Sequence, residues 1–332
     1  MKDYSGVVLA APVSFGYAKQ SPRGANWFIG NTLGAMLRQA GIDKDAVDGL
    51  AVSSFSLGAD SAITLTQHLQ LSPRWIEQLP YGGASGPLAL RRAARAIQAG
   101  DADIIACVGG DGAAHRSFEG IAANFSNFTI DASFPYGAGG PNTAFALITR
   151  HYMERFGATR EDFARIALDQ RYNANHYPPA LLNHKTLSLE QYLAARPIAG
   201  PLHLFDCVMP CAGGEGFLLM SEDRARHLEL PYCHLLAAGE LHNAHRDDAV
   251  QFRGGWTEYV DALYRCAGIG PEDIDLLQTY DDYPVISLLQ MEDLGFCAKG
   301  EAPAFVRDTD LRFDGSGPQA RKLPHNTSGG QL

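Results

Sequence analysis

Leu33-Gly34-Ala35-Met36-Leu37-Arg38-Gln39-Ala40-Gly41-Ile42 returns 227 residues later as Val260-Asp261-Ala262-Leu263-Tyr264-Arg265-Cys266-Ala267-Gly268-Ile269. The correspondence continues without a gap, setting Asp45-Ala46-Val47-Asp48-Gly49-Leu50 against Glu272-Asp273-Ile274-Asp275-Leu276-Leu277. Each copy reads as a helix stopped at a glycine, an acidic turn, and a strand opening on Val-Asp or Ile-Asp. Helix–Gly–strand junctions are common enough to recur by chance, but the gapless length favours two duplicated halves. The next landmarks then correspond: Tyr81-Gly82-Gly83-Ala84-Ser85-Gly86 in the first half, His325-Asn326-Thr327-Ser328-Gly329-Gly330 in the second. The helix that follows Ser85-Gly86 has no counterpart before Leu332, so the second half is expected to lack about a helix and two strands of a longer native chain.

Outward from the repeat, the first 111 residues alternate short apolar runs (Val7–Ala11, Gly49–Ser53, Trp75–Leu79, Ala102–Val108) with helical patterns (Trp27–Ala40, Ile63–Leu69, Pro87–Gln98). That alternation predicts an α/β sandwich whose strand at Ile104–Val108 is covered on both faces. Residues 112–214 read as an insertion with its own helices at Thr143–Phe156, Arg160–Asn175 and Ser188–Ala194, and Thr159-Arg160-Glu161-Asp162 has the form of a capped helix start. The expected organisation is an N-terminal half of residues 1–111 with 215–222, an inserted loop domain at 112–214, and a C-terminal half at 230–332.

The 332 residues are 46% hydrophobic and 19% charged, enough apolar material for a large core, which excludes disordered and fibrous classes. A net charge of −10 without a basic stripe argues against nucleic acid. No apolar run is long enough for a membrane span and the N-terminus lacks a signal-peptide core, so the expected compartment is the cytoplasm. The six cysteines form no framework and are expected as reduced thiols.

Gly83-Ala84-Ser85-Gly86, the helix ending Ala96-Ile97-Gln98-Ala99-Gly100, and Asp101 to Asp111 resemble the thiolase superfamily segment running from the nucleophile loop through the central strand. Gln170-Arg171-Tyr172-Asn173-Ala174, Ile198-Ala199-Gly200-Pro201-Leu202, Gly213-Gly214-Glu215-Gly216, Tyr280-Asp281-Asp282-Tyr283 and Asn326-Thr327-Ser328-Gly329-Gly330 are similar to the sterol-carrier-protein-like branch. The resemblance implies a five-layer αβαβα sandwich of two duplicated halves with an inserted loop domain. It also implies a homodimer, a CoA thioester as substrate with no covalently bound cofactor, and a small partner carrying an OB fold and a zinc ribbon.

Departures from the family pattern direct the functional reading. The family's nucleophile is a cysteine immediately before the Ala-Ser-Gly turn, activated as thiolate at a helix N-terminus. Gly83 stands there, and it removes acyl-enzyme chemistry from that position. The family's Asn-Glu motif is matched by Tyr280-Asp281, the expected catalytic pair, against the plainer reading that the tyrosines pack and Asp281 or Asp282 caps the helix starting at Pro284. Gly83, Ser85 and Gly86 in one turn and Asn326, Ser328 and Gly329 in the other are the expected substrate-binding residues, since backbone N–H groups converging at such turns can polarise a thioester oxygen. His325 reads as structural. His203, Cys207 and Cys211 lie four residues apart, but prolines around them disfavour a zinc helix, and no metal is expected. Arg91, Arg92 and Arg95 read as a solvated or salt-bridged helix face ahead of a phosphate contact.

The leading reading is an acyl-CoA-binding protein that makes or breaks a C–C bond without an acyl-enzyme. A non-catalytic acyl-CoA-binding subunit and an acyltransferase using another residue, with Cys297 or Cys211 as the thiol, are the alternatives.

Overall fold

The computed structural model describes residues 2–58, 60–112, 134–138 and 140–332, with the backbone alone at Phe134. Residues 113–133 and Gly139 of the expected insertion lie outside the described residues. The chain divides into two compact units, one comprising Met1–Ile121 and Pro210–Gly239, the other Ala122–Met209 and Glu240–Leu332.

The first unit is built on a six-stranded sheet. Its strands are β1 (Val7–Ala18), β2 (Gly49–Ser53), β3 (Trp75–Gln78), β4 (Ile104–Asp111), β5 (Ala212–Ser221) and β6 (Tyr232–His234), in the order β3-β2-β4-β5-β1-β6. β2 pairs parallel with both β3 and β4, and β5 joins β4 to β1 through antiparallel ladders. Helices α1 (Ala25–Ala40), α2 (Ser61–Leu69) and α3 (Ser85–Ala99) supply the crossovers.

β4 shows why its apolar run is continuous. Ile104, Ala106 and Val108 enter a core with Ile29, Leu33 and Met36 of α1 and Leu65 of α2, while Ile105 and Cys107 enter a second core with Leu88, Ala89 and Ala93 of α3. Successive side chains on a strand point to opposite faces, and here both faces are covered, so neither parity tolerates a polar residue.

The second unit is largely helical: α4 (Gly140–Phe156), α5 (Arg160–His176), α6 (Val260–Ala267), α7 (Pro284–Asp293) and α8 (Ala302–Asp308). A core of Tyr152, Phe163, Ile166, Tyr192, Leu288, Met291, Phe305 and Val306 lies among them. α5 starts with a capping box, the Thr159 N–H donating to Asp162 Oδ2 at 2.8 Å.

The offset of the sequence repeat holds in the backbone. α1 ends at Gly41 (φ 63°) and α6 at Gly268 (φ 73°), both left-handed, a conformation glycine adopts without steric cost. A single 3₁₀ turn follows each, Lys44–Ala46 and Pro271–Asp273. In the first unit Leu50 then pairs parallel with Ile76, and in the second Leu277 bridges parallel to His325.

Candidate active site

In the first unit the Tyr81–Gly86 turn sits at the entry to α3. Gly82–Ala84 form one 3₁₀ turn and the helix proper starts at Ser85, two residues earlier than the sequence suggests, because Pro87 is tolerated within a first turn. Ser85 is buried, and its hydroxyl donates to the Leu79 carbonyl at 3.0 Å and accepts from the Tyr81 N–H at 3.2 Å. Its side chain therefore shapes the turn, its N–H donates to the Gly82 carbonyl, and Gly83 lies in the 3₁₀ turn that leads into the helix N-terminus. The arginine face of α3 is structural: Arg92 pairs with Glu77, and Arg95 donates to the Lys2 carbonyl at 2.8 Å and stacks over the Tyr4 ring.

The second unit brings the other candidates together. Tyr280-Asp281-Asp282-Tyr283 joins the Leu277 bridge to α7, and Asn326 to Gly330 follow the facing bridge residue His325. Two side-chain amides hold this segment. Asn326 Oδ1 accepts from the Thr279 N–H at 2.8 Å and its Nδ2 donates to the Thr279 carbonyl at 3.2 Å. Gln290 does the same one residue on, accepting from the Tyr280 N–H at 3.1 Å and donating to the Tyr280 carbonyl at 2.7 Å. Asn326 thus grips the strand end, and Ser328 beside it is exposed.

Asp281 is 2% exposed and accepts a hydrogen bond from the Gln331 N–H at 3.0 Å. The glycine turn presses on it: a Cβ at Gly330 would collide with Asp281 Oδ2 and lie 2.7 Å from Gln170. Burial outweighs its hydrogen bonds and, with the Asp282 charge alongside, pushes the Asp281 carboxyl up to about 6. Neither Asp281 nor Asp282 caps α7, whose N-cap is Tyr283 without a side-chain cap bond.

Tyr280 is half-buried and its hydroxyl donates to the Asp282 carboxylate. Burial and the Asp282 charge push the Tyr280 phenol well up, so it stays protonated and available as a donor. Burial also raises the Asp282 carboxyl, opposed by the Tyr280 hydrogen bond. Tyr283 faces the other way, donating to Asn142 Oδ1 at 2.7 Å and stacking on Phe145.

His325 is structural as expected. It is fully buried, its Nε2 hydrogen-bonds Thr279 Oγ1 at 2.7 Å, and burial pulls its ring down to about 3, leaving it neutral. Burial pushes the Cys207 thiol up to about 11 and Cys297 to about 12, and raises Cys107 and Cys211 as well, the opposite of what a thiolate nucleophile needs.

Sequence reasoning missed Gln290 and Gln170. The signal for Gln170 is a fully buried glutamine mid-helix, facing Asp281, whose amide makes no hydrogen bond of ordinary geometry yet lies near enough to favour the charged carboxylate.

A helix N-terminus stripped of its thiol, on an α/β unit whose helix–glycine–strand motif recurs in a second unit, defines a thiolase-like protein outside the acyl-enzyme chemistry of its class. Known proteins with similar sequences and folds agree. The thiolase C-terminal domain-like family matches residues 240–332. A steroid side-chain-cleaving aldolase of Thermomonospora curvata is 30% identical, the alignment covering 95% of this chain and 83% of that protein. A 17-hydroxy-3-oxo-4-pregnene-20-carboxyl-CoA lyase of Mycobacterium tuberculosis is 28% identical over 89% of this chain and 78% of its own length. A solved structure described as the Ltp2-ChsH2(DUF35) aldolase superposes with a TM-score of 0.81 at 27% identity, covering 98% of this chain and 85% of that one. The chain belongs to the thiolase superfamily, in its sterol-carrier-protein-like aldolase branch. The names of these two relatives and of the solved aldolase favour neither the non-catalytic nor the acyltransferase alternative. Among the described residues, no helix is long and apolar enough to cross a membrane.

Proposed function

We propose that this protein is an acyl-CoA C–C lyase that cleaves a β-hydroxyacyl-CoA by retro-aldol chemistry, with no acyl-enzyme. The observation that carries the reading is Gly83 at the α3 N-terminus: a backbone dipole remains to polarise the thioester, and no thiol remains to attack it.

In this reading the turn at Gly83, Ser85 and Gly86 is the thioester-polarising element of the first unit, and the Ser328–Gly329 turn, fixed by Asn326, is that of the second. Tyr280 and Asp281 manage protons at the β-hydroxyl. A carboxyl near 6 suits that task, because proton transfer is most effective when the group's affinity lies close to working pH. Stabilising the departing enolate requires only correctly placed donors.

The same reading makes the protein a cytoplasmic homodimer with residues 112–214 as an inserted loop domain. The similar solved aldolase, Ltp2-ChsH2(DUF35), carries a second, DUF35 component, which supports a small partner protein here. The test is cleavage of 17-hydroxy-3-oxo-4-pregnene-20-carboxyl-CoA, with and without a co-expressed partner. Activity that survives thiol alkylation and drops about 100-fold or more in Tyr280→Phe is expected. Full activity in Tyr280→Phe, or loss on alkylation, refutes the proposal.

A further inference from the structure

The Thr279–Tyr283 segment alternates in burial. Thr279, Asp281 and Tyr283 are buried, whereas Tyr280 and Asp282 are half-buried. Tyr280 and Asp281 each have their own partners. Asp281 is engaged by the Gln331 N–H beneath the Gly330 turn, whereas the Tyr280 hydroxyl meets Asp282. Asp282 is itself fixed, its carbonyl accepting from the Val208 N–H at 3.1 Å. Its neighbour Tyr283 is pinned by Asn142 and Phe145, and Tyr280 by the Gln290 clamp.

From this geometry we infer that Asp282 is the positioning residue behind Tyr280, and that the two form a proton relay. The inference rests on the retro-aldol reading. In the cleavage step the C–C bond breaks and its electron pair passes to the thioester enolate. The β-hydroxyl proton moves to Tyr280 Oη as the phenol's own proton moves to the Asp282 carboxylate, and the β-oxygen becomes a carbonyl. Return of one proton along the same path to the enolate carbon gives the saturated thioester and restores both side chains. Asp282 does not touch substrate in this scheme; it fixes the phenol's rotor and receives its proton.

Two measurements test this, one independent of turnover. In protein carrying tyrosine labelled at the ring Cζ carbon, Tyr280→Phe identifies the Tyr280 resonance, which is expected to shift in Asp282→Asn and to shift far less in Asp281→Asn. In the lyase assay Asp282→Asn is expected to lower kcat about 100-fold with KM changed less than about threefold, and the Tyr280→Phe/Asp282→Asn double variant to be no slower than Tyr280→Phe alone. Asp282→Glu, which keeps a carboxylate, is expected to recover about tenfold of that loss. A cleaving wild type whose Tyr280 resonance ignores Asp282→Asn, or whose kcat does, overturns the relay and leaves the lyase reading intact. A wild type that cleaves nothing refutes the lyase reading and, with it, the role of Asp282.

Discussion

Asp281→Asn is expected to make the protein more stable above pH 6 while disabling it. The carboxyl is 2% exposed and its pKa stands at about 6 against an ordinary 3.8. That gap of roughly two pH units corresponds to about 3 kcal/mol. Because the folded protein holds the proton more tightly than the unfolded chain, nothing is lost below pH 3.8, where both states are protonated. As pH rises from 3.8 to about 6 the unfolded chain ionises first and stability falls; above that both states are ionised and the full penalty persists. The asparagine variant carries no such penalty and still offers an oxygen to the Gln331 N–H. Urea denaturation of both proteins at about pH 4 and about pH 7.5 should therefore give curves that coincide at the lower pH and differ by about 3 kcal/mol at the higher, the variant being the more stable. A gap independent of pH, or one that opens on acidification, would refute the assignment of a buried, proton-hungry carboxyl. Such a stability gain at the expense of activity is expected where a strained group serves chemistry.

Gly330→Ala drives a methyl group into Asp281 Oδ2 at a φ of +64°, and a loss of about 2–4 kcal/mol is expected by the same denaturation, combining left-handed strain with overpacking. Gly82→Ala is its control: φ is +60°, but the nearest contact is Phe55 at 3.7 Å, so about 1 kcal/mol is expected. Lys299→Met should cost about 3–5 kcal/mol, because Lys299 lies 3.0 Å from Glu292 and also pairs with Asp293, and both carboxylates are fully buried without it. A change below about 1 kcal/mol in calorimetry or urea titration would refute the dependence of this buried pair on Lys299.

Much of this architecture was legible because period and punctuation decide it. The strand at Gly49–Ser53 has its expected bounds, and the helix expected over Arg160–Asn175 runs to His176. β1 was not legible in full. Pro12 suggests an end at Ala11, since proline lacks a ladder donor, but the strand continues to Ala18 across a shift of register between Ala10 and Val13, with Ala11 at φ 47°. A bulge is a tertiary accommodation that local composition does not announce. At the site, the Tyr280–Tyr283 cluster, the glycine turn and the missing thiol could be seen in the sequence. Which aspartate meets Tyr280 could not, because it depends on the backbone path between the Leu277 bridge and α7. Nor could Gln290, ten residues from the backbone it holds, be told from an ordinary helix-surface glutamine.

The paired amides of Asn326 and Gln290 bear on how the protein moves. Exchange of a backbone proton in a sheet waits for strands to part, a cooperative opening that takes neighbouring residues with it. The Thr279 and Tyr280 N–H groups are held by two side-chain amides, and one rotamer change in either frees its proton without separating any strand. Hydrogen exchange at these two positions accordingly reports side-chain release and not strand separation.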